Sequence, residues 1–538
     1  MFGRDPFGVR PFGTRSGPVP PIPASITLLT AARIDAVYLV EIFGVDIATG
    51  EPRDIFLADR PYVTRPDETP ANRVYWPRLE TAPYFERIIP ITPEEGVRAR
   101  LGLGEIIIAN GDGFFDSFVE EVAIGGRRVV VKLGTPASPL SEFVTLFDGT
   151  AVGWSQGNDA TIRVELRDIG ALLERPLQQR LYAGTGGLEG GPRLEGKPKP
   201  LCYGHVPNVT AVLVDPARQI YQVHDGLLWR IPAVYDAGLP LANGGNVANI
   251  ESAEPAPGFY ITSHLQGMFR LGSSPAGLVT ADVEGDAAQN IFAETTADIV
   301  RRILTTRAGF DVPIDAATLI ALNTAQPARV GLSIGLEVRT LAGVLDDLLG
   351  GIAGWWGPNR LGQIQVGRLD APSGTGQVTL TADDILDLEL LPLPESINPP
   401  NWRRRVAWGI NWTVQTEGLA AAVDDERRAY LAEPFRVAPD FDESIKQIYP
   451  GATDPAPTPG LFRDAGAAKG EAARLRELFG VPRRRFRVVC KLKPALVEPG
   501  QMVALDDHRY GLAGGVLGAV TGHRIDCDRN QVTLEVLV

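Results

Sequence analysis

RLYAGTGGLEGGPRLEGKPKPLCYGHVPNVTAVLVDPARQIYQVHDG, residues 180–226, is the stretch on which the reading of this chain turns. It opens rich in glycine and proline and closes as alternating strand, so a long irregular connection runs into sheet. Glycines 184, 186, 187, 190, 191 and 196 are too many for a helix interior, where each costs about 1 kcal/mol against alanine. Two nucleotide-binding patterns start here and both break. Gly184-Thr185-Gly186-Gly187-Leu188-Glu189 ends in a carboxylate where a pyrophosphate loop needs glycine or alanine. Gly191 to Gly196-Lys197 has phosphate-loop spacing, but Pro198 stands in the magnesium-ligand position and, with Pro200, opposes a following helix. Lys197 reads as a solvated loop lysine, and no cofactor is expected.

The flanking sequence is mostly strand. Val37–Ile42 and Ile106–Ile108 are β-rich, the latter running into the turn Asn110-Gly111-Asp112-Gly113. Val129, Val131 and Leu133 alternate with Val130 and Lys132, and 161–166 alternates in the same way. Downstream, 211–214, 220–223, 229–234, 258–263 and 277–281 continue the sheet, with Asp225-Gly226 expected as a hairpin turn.

Between 287 and 350 the period becomes helical. Thr295 and Asp298 form a capping-box-like start, Asp315 is placed to cap a second helix, and a third runs from Thr340 to Gly350-Gly351. Trp355-Trp356, the turn 358–360 and 363–369 predict a hairpin. A strand is expected at 405–414, a helix at 424–431 and an amphipathic helix at 462–480. The closing strands fall at 484–492, 501–505, 516–525 and 531–538, the last with Val532, Leu534, Val536 and Val538 on one face.

The expected fold class is mainly β with α+β modules: a multidomain β-barrel or sandwich with a small helical α/β insert and a C-terminal β-rich domain. The divisions read as an extended Phe-Gly and Pro-rich arm over 1–24 and a β barrel or sandwich domain over 25–180. A Gly-rich loop and β domain follow over 181–285, an α/β module over 286–375, and a C-terminal α+β domain over 376–538. In the arm Phe2, Phe7 and Phe12 each precede glycine, and these are the candidate intersubunit contacts.

A length of 538 residues allows three or four domains with well-buried cores. A net charge of −13 argues against a dedicated nucleic-acid binder, which carries a basic footprint. Cys202, Cys490 and Cys527 are odd in number and far apart, so they read as small buried hydrophobes. No apolar run reaches the length of a membrane span, and the N-terminus lacks the apolar core of a secretion signal, so folding in a cytoplasm is expected.

Catalytic patterns are weak. Gly331-Leu332-Ser333-Ile334-Gly335 has the letters of a nucleophile elbow, with His508 and His523 downstream, but the apolar pattern runs on past the serine instead of turning into helix. His205, His224, His264, His508 and His523 show no metal-ligand spacing. The acidic pairs 346–347, 383–384, 424–425 and 506–507 suit caps, turns and solvated faces better than a glycosidase couple. The triplets Arg403–Arg405 and Arg483–Arg485 suit ion pairs, within or between subunits.

Several of these strings resemble one family. ERPLQQRLYAGTGG (174–187), LEGKPKPLCYGHVPNV (194–209) and IYQVHDG (220–226) resemble tail-module proteins of long-tailed bacteriophages and related prophages. LGEIIIANGDGFFDSF (103–118), ADIVRRILTTRAGF (297–310) and LAGVLDDLLGGIAGWWGPNRLGQIQVGRL (341–369) do so too. LKPALVEPGQMVALDDHRYGL (492–512) and GAVTGHRIDCDRNQVTLEVLV (518–538) are similar to the last domain of siphophage tail-tip, or baseplate, hub proteins. Residues 1–24 fall outside the resemblance.

The resemblance implies a non-enzymatic virion protein at the distal end of the tail, assembled in the bacterial host cytoplasm. Its implied role is to close the tail tube and connect it to the central fibre, acting in host attachment and genome ejection. Implied partners are itself, as a homotrimer, the distal tail and tail-tube ring proteins, and a central fibre or spike with other baseplate proteins. Genomic DNA would pass the channel without specific binding, past an acidic wall. A hexameric distal tail ring or a receptor-binding tip protein is the alternative within the virion. A tail-associated cell-envelope hydrolase using Ser333 is the alternative of another class.

Overall fold

The computed structural model describes Leu29 and residues 35–155, 160–308 and 312–538. Its first sheet is antiparallel and seven-stranded, in the order Ile55–Ala58, Val37–Ile42, Arg128–Gly134, Val144–Ser155, Thr161–Arg167, Ile106–Ala109, Leu79–Thr81. All six residues of Val37–Ile42 are buried, because both faces of that strand are covered. Tyr38, Val40 and Ile42 face the main core, while Val37 and Leu39 pack with Tyr62, Tyr75 and Phe143. Glu41 is buried in the same strand. Its charge is tolerable because Tyr75 Oη donates to it at 2.7 Å and Lys132 Nζ at 2.6 Å.

The main core is shared across the length of the chain. Val129, Val131, Ile106 and Ile108 of the first sheet belong to one apolar cluster with Phe486, Val488, Val532, Leu534 and Val536. Those last residues line the C-terminal sheet, formed by Thr379–Thr381, Met502–Asp506, Val516–Asp526, Gln531–Leu537, Arg485–Cys490 and Ile385–Leu391. The hairpin Tyr84–Ile88 and Arg100–Leu103 completes it as an eight-stranded, nearly closed sheet. Tyr84–Ile88 pairs with the second half of Val516–Asp526, and Met502–Asp506 pairs with the first half. The main core thus draws on residues of the segments read as 25–180 and 376–538 alike. Residues 84–103 lie inside one sequence segment and hydrogen-bond in the sheet of another.

Strands between 201 and 286, joined at one edge by Gly331–Ile334, form two five-stranded sheets that pack over a core of their own. Leu201–Thr210, Leu228–Asp236 and Val279–Asp286 are in one sheet; Val212–Asp215, Ile220–Gln222, Phe259–Ser263 and Met268–Leu271 are in the other. Asp225-Gly226 is not a hairpin turn, contrary to the sequence reading. Ile220–Gln222 pairs with Val212–Asp215 and Met268–Leu271, and the chain at 225–226 crosses from one sheet to the other. The Gly-rich stretch folds back on the outer face of the second sheet, where Tyr182, Leu188 and Leu194 pack on Ile220, Ile261 and Met268.

The helical module follows the sequence signals closely. Thr296–Thr306, Ala316–Ala325 and Leu341–Gly350 are capped by Thr295, Asp315 and Thr340, whose side chains accept from Asp298 N, Ala317 N and Gly343 N. The hairpin Gly354–Pro358 and Ile364–Arg368 comes next. This module shares its core with helix Ala465–Phe479 and with the three-stranded sheet Arg436–Phe441, Arg403–Trp408, Thr458–Phe462. The strand expected at 405–414 ends at Trp408. Helix 465–479 packs against that strand.

Gly362, in the turn of the 354–368 hairpin, sits at φ +68°, and a Cβ there would come 2.4 Å from the Asp148 carbonyl oxygen. The turn can approach strand Val144–Ser155 only because that position is glycine. Gly362→Ala is expected to destabilise the protein by about 2 kcal/mol or more, read as a lowered midpoint of urea unfolding with unchanged slope.

Candidate functional site

Phe2, Phe7 and Phe12 lie outside the described residues. Ser333 sits inside strand Gly331–Ile334, opposite Cys202, and its hydroxyl is 3.9 Å from the Cys202 sulfur. The next helix begins only at Leu341. His508 is 84% exposed beside Asp507, whereas His523 is buried in the C-terminal sheet. Among the described residues no histidine hydrogen-bonds to Ser333, so the hydrolase letters are not assembled into a nucleophile and base. Cys202, Cys490 and Cys527 are buried free thiols, and burial pushes the first two up to about 12, far from reactivity.

Most of the remaining candidates are engaged in contacts within the chain. Asp346 accepts from Arg98 at 2.7 Å and from Trp356 Nε1 at 2.8 Å, and Asp347 pairs with Arg339. Asp384 holds Lys493 at 2.7 Å, and Asp424 caps helix Asp425–Ala432. Asp506 and Asp507 accept backbone N–H groups of Gly514 and Arg509. In the basic triplets, Arg403 and Arg405 pair with Asp454, Arg404 with Glu94, and Arg485 with Glu535. Within the Gly-rich loop, Gly187–Glu189 is a single 3-10 turn, and Glu189 is bound by Lys199 at 2.7 Å. The carboxylate that breaks the dinucleotide pattern thus closes the loop on itself.

Three buried ionic junctions were missed by sequence reasoning, since each joins residues far apart in the chain. The first centres on Glu498, whose side chain is 2% exposed. Arg87, from the N-terminal hairpin, lies 3.0 Å from its Oε2. Arg360, from the turn of the 354–368 hairpin, lies 3.6 Å from its Oε1 and donates its backbone N–H to the same oxygen at 3.2 Å. Arg360 Nη1 also donates to the Thr145 carbonyl at 2.7 Å, in the first sheet. His523 closes the group, with Nδ1 3.5 Å from Arg87 Nη2 and Nε2 3.2 Å from the Pro494 carbonyl. Burial, with Arg87 second, lowers His523 to about 3, so the imidazole is neutral.

The second junction ties the sheets of 201–286 to helix Thr296–Thr306. Arg302 pairs with Asp286 and donates to the Ile291 carbonyl at 2.7 Å. Arg307 lies 3.5 Å from Asp286 and 4.0 Å from Asp225, and Arg180 holds Asp225 at 2.5 Å. His224 is fully buried between these charges, its Nδ1 accepting from Cys202 N at 3.1 Å. Burial lowers it to about 4, against the pull of Asp286. The third junction centres on Glu471 of helix Ala465–Phe479. It meets Arg474 of the same helix, accepts from Gln326 at 2.8 Å and lies 3.6 Å from Arg368. Arg474 also donates to the Leu369 carbonyl at 2.5 Å.

Among the described residues no group of three His, Cys, Asp or Glu side chains is arranged to hold a metal ion, and no helix is long and apolar enough to cross a membrane. What the arrangement does chemically is neutralise and orient charge at contacts between segments.

No family model matches the sequence, and no curated protein matches it. Among solved structures, the chain is similar to a tail protein from Neisseria meningitidis MC58 at 11% identity and TM-score 0.35, over 93% of this chain and 96% of that one. It is similar to prophage tail protein gp18 from Listeria monocytogenes EGD-e at 8% identity and TM-score 0.38, over 94% of each chain. It is also similar to the E. coli c3393 protein, a component of the type VI secretion system, at 11% identity and TM-score 0.29. That match covers 85% of this chain and 73% of the other.

Glu498→Gln removes the only carboxylate described between two buried guanidinium groups and is expected to cost about 3–5 kcal/mol, measured by chemical denaturation. The buried histidines predict an acid-sensitive fold. In the unfolded chain they bind a proton near pH 6.5, but in the folded protein only near pH 4 for His224 and pH 3 for His523. Stability is therefore lost as pH falls from 6.5 toward 4, by about 3 kcal/mol for each histidine. Thermal midpoints across that range should fall, and His523→Gln should flatten the decline.

Proposed function

We propose that this chain is a structural protein of a bacteriophage tail, a hub of the tail tip or baseplate that closes the tube and joins it to a central fibre or spike. The observation that carries the reading is where the resembling segments meet. Arg180, Asp225, Arg302 and Arg307 come from three of those segments and converge on one junction, Asp225 and Arg302 buried within it and Arg180 at its exposed rim. Arg360, Glu498 and His523 come from three others and converge on a second. The resemblance thus falls on part of each junction, with Arg87, Asp286 and Glu471 outside it, and this supports a rigid multi-module scaffold as the shared property.

In this reading the protein performs no reaction, and its buried ionisable groups serve rigidity. Three copies surround the channel, Phe2, Phe7 and Phe12 anchor each arm on a neighbouring subunit, and DNA passes an acidic wall without sticking. Tail-tube ring proteins sit on one side of the hub and the fibre on the other.

Cryo-EM of intact particles carrying the wild-type chain tests this directly. The expected result is density for this fold in three copies at the distal end of the tail. Six copies in a ring would favour the distal tail ring instead, and absence of the chain from particles would overturn the assignment. Purified protein incubated with peptidoglycan is expected to release no fragments, and Ser333→Ala to behave as wild type.

A further inference from the structure

We propose that strand Ile385–Leu391 is a docking edge that accepts an extended partner strand carrying cationic residues on one face and apolar residues on the other. This stands apart from the tail assignment and would hold without it.

The strand lies at the end of the eight-stranded sheet and pairs only with Arg485–Cys490. Its seven residues make it the longest of the edge strands described. Among the described residues, the backbone of 386–391 makes no hydrogen bond beyond that one ladder. A row of backbone donors and acceptors is thus open to one more strand.

Other edges of the molecule are blunted. Arg436–Phe441 carries Pro439, which has no N–H to offer. Ala242–Asn246 carries Gly244 and Gly245. The outer side of Ile55–Ala58 is already taken, with Ala58 N donating to the Trp76 carbonyl at 2.8 Å and Trp76 N to that of Phe56 at 2.9 Å. Strand 385–391, ILDLELL, has no proline, glycine or lysine.

Its side chains define the occupant. Leu388 and Leu390 stand opposite Val488 and Phe486, both fully buried in the core, yet Leu390 is 46% exposed and Leu386 at the bulge is 50% exposed. The apolar side of this edge is unfinished, and another apolar strand would complete it. The other face presents Asp387 and Glu389. Glu389 reaches Arg487 at 2.6 Å with both side chains about half exposed, and Asp387 is in no described ion pair. A second copy of this edge is a poor fit: antiparallel pairing about Leu388 sets Asp387 opposite Glu389 twice, and like charges directly opposite are destabilising. A strand with Lys or Arg at those positions gains what a second copy loses.

The test is amide hydrogen exchange of the full chain with a seven-residue blocked peptide of alternating valine and lysine, against the same peptide with glutamate for lysine. The lysine peptide is expected to slow exchange of the amides of 386–391 that point away from Arg485–Cys490, and to bind about ten-fold more tightly than the glutamate peptide, the value of two exposed cross-strand charge pairs. The double variant Asp387→Lys, Glu389→Lys, with an unchanged far-UV circular dichroism spectrum, is expected to reverse the preference. Equal binding of both peptides, or no slowing at 386–391, overturns the proposal. So does slow exchange, without peptide, of the amides of 386–391 that point away from Arg485–Cys490, which would mean the edge is already occupied by this chain or, if concentration-dependent, by a second copy.

Discussion

The structure depends on one buried carboxylate being shared by two guanidinium groups. Glu498 meets Arg87 and Arg360, and those residues arrive from the N-terminal hairpin, the helical module and the C-terminal domain. Removing ions from water is expensive, and the cost is recovered only in a geometry where each charge finds its partner. A displacement of any one segment would leave a charge buried and uncompensated. The junction therefore contributes registry more than net attraction: it penalises every arrangement but one.

The same logic recurs at Asp286, met by Arg302 and Arg307 from the end of one helix, and at Glu471, met by Arg474 of its own helix and Arg368 of a strand. Beside the first two junctions a histidine is kept neutral by burial and by neighbouring arginine charge. Groups that in an enzyme would face a pocket here face one another, and the apolar cores on either side are continuous across segment boundaries. The protein's adjustable surfaces lie outside the junctions, at exposed faces and sheet edges.

Local signals were readable because their causes are local. Thr295, Asp315 and Thr340 cap helices where their sequence positions say they should, since a cap needs only the next few N–H groups. The closing strand alternates because one face is core and the other is not: Val532, Leu534 and Val536 are buried, while Thr533 and Glu535 are partly exposed. Asp225-Gly226 misled for a related reason. A dipeptide that often makes a two-residue hairpin is held as a crossover by Arg180, a partner 45 positions away. Among the candidate residues, Asp346, Asp347, Asp384, Arg403–Arg405 and Arg485 are in ion pairs, and nothing in their spacing named their partners.

By itself the sequence determined a mainly β chain, its helices and caps, the broken nucleotide patterns and the pairing role of its clustered charges. All of these follow from periodicity, turn chemistry and side-chain type over a few residues. Only the tertiary structure decided that residues 84–103 join the C-terminal sheet, that Val37–Ile42 is covered on both faces, and that Arg87 lies against His523 across 436 positions of chain. Those outcomes rest on contacts between distant segments, where burial and charge compensation select the partner. No local pattern encodes them.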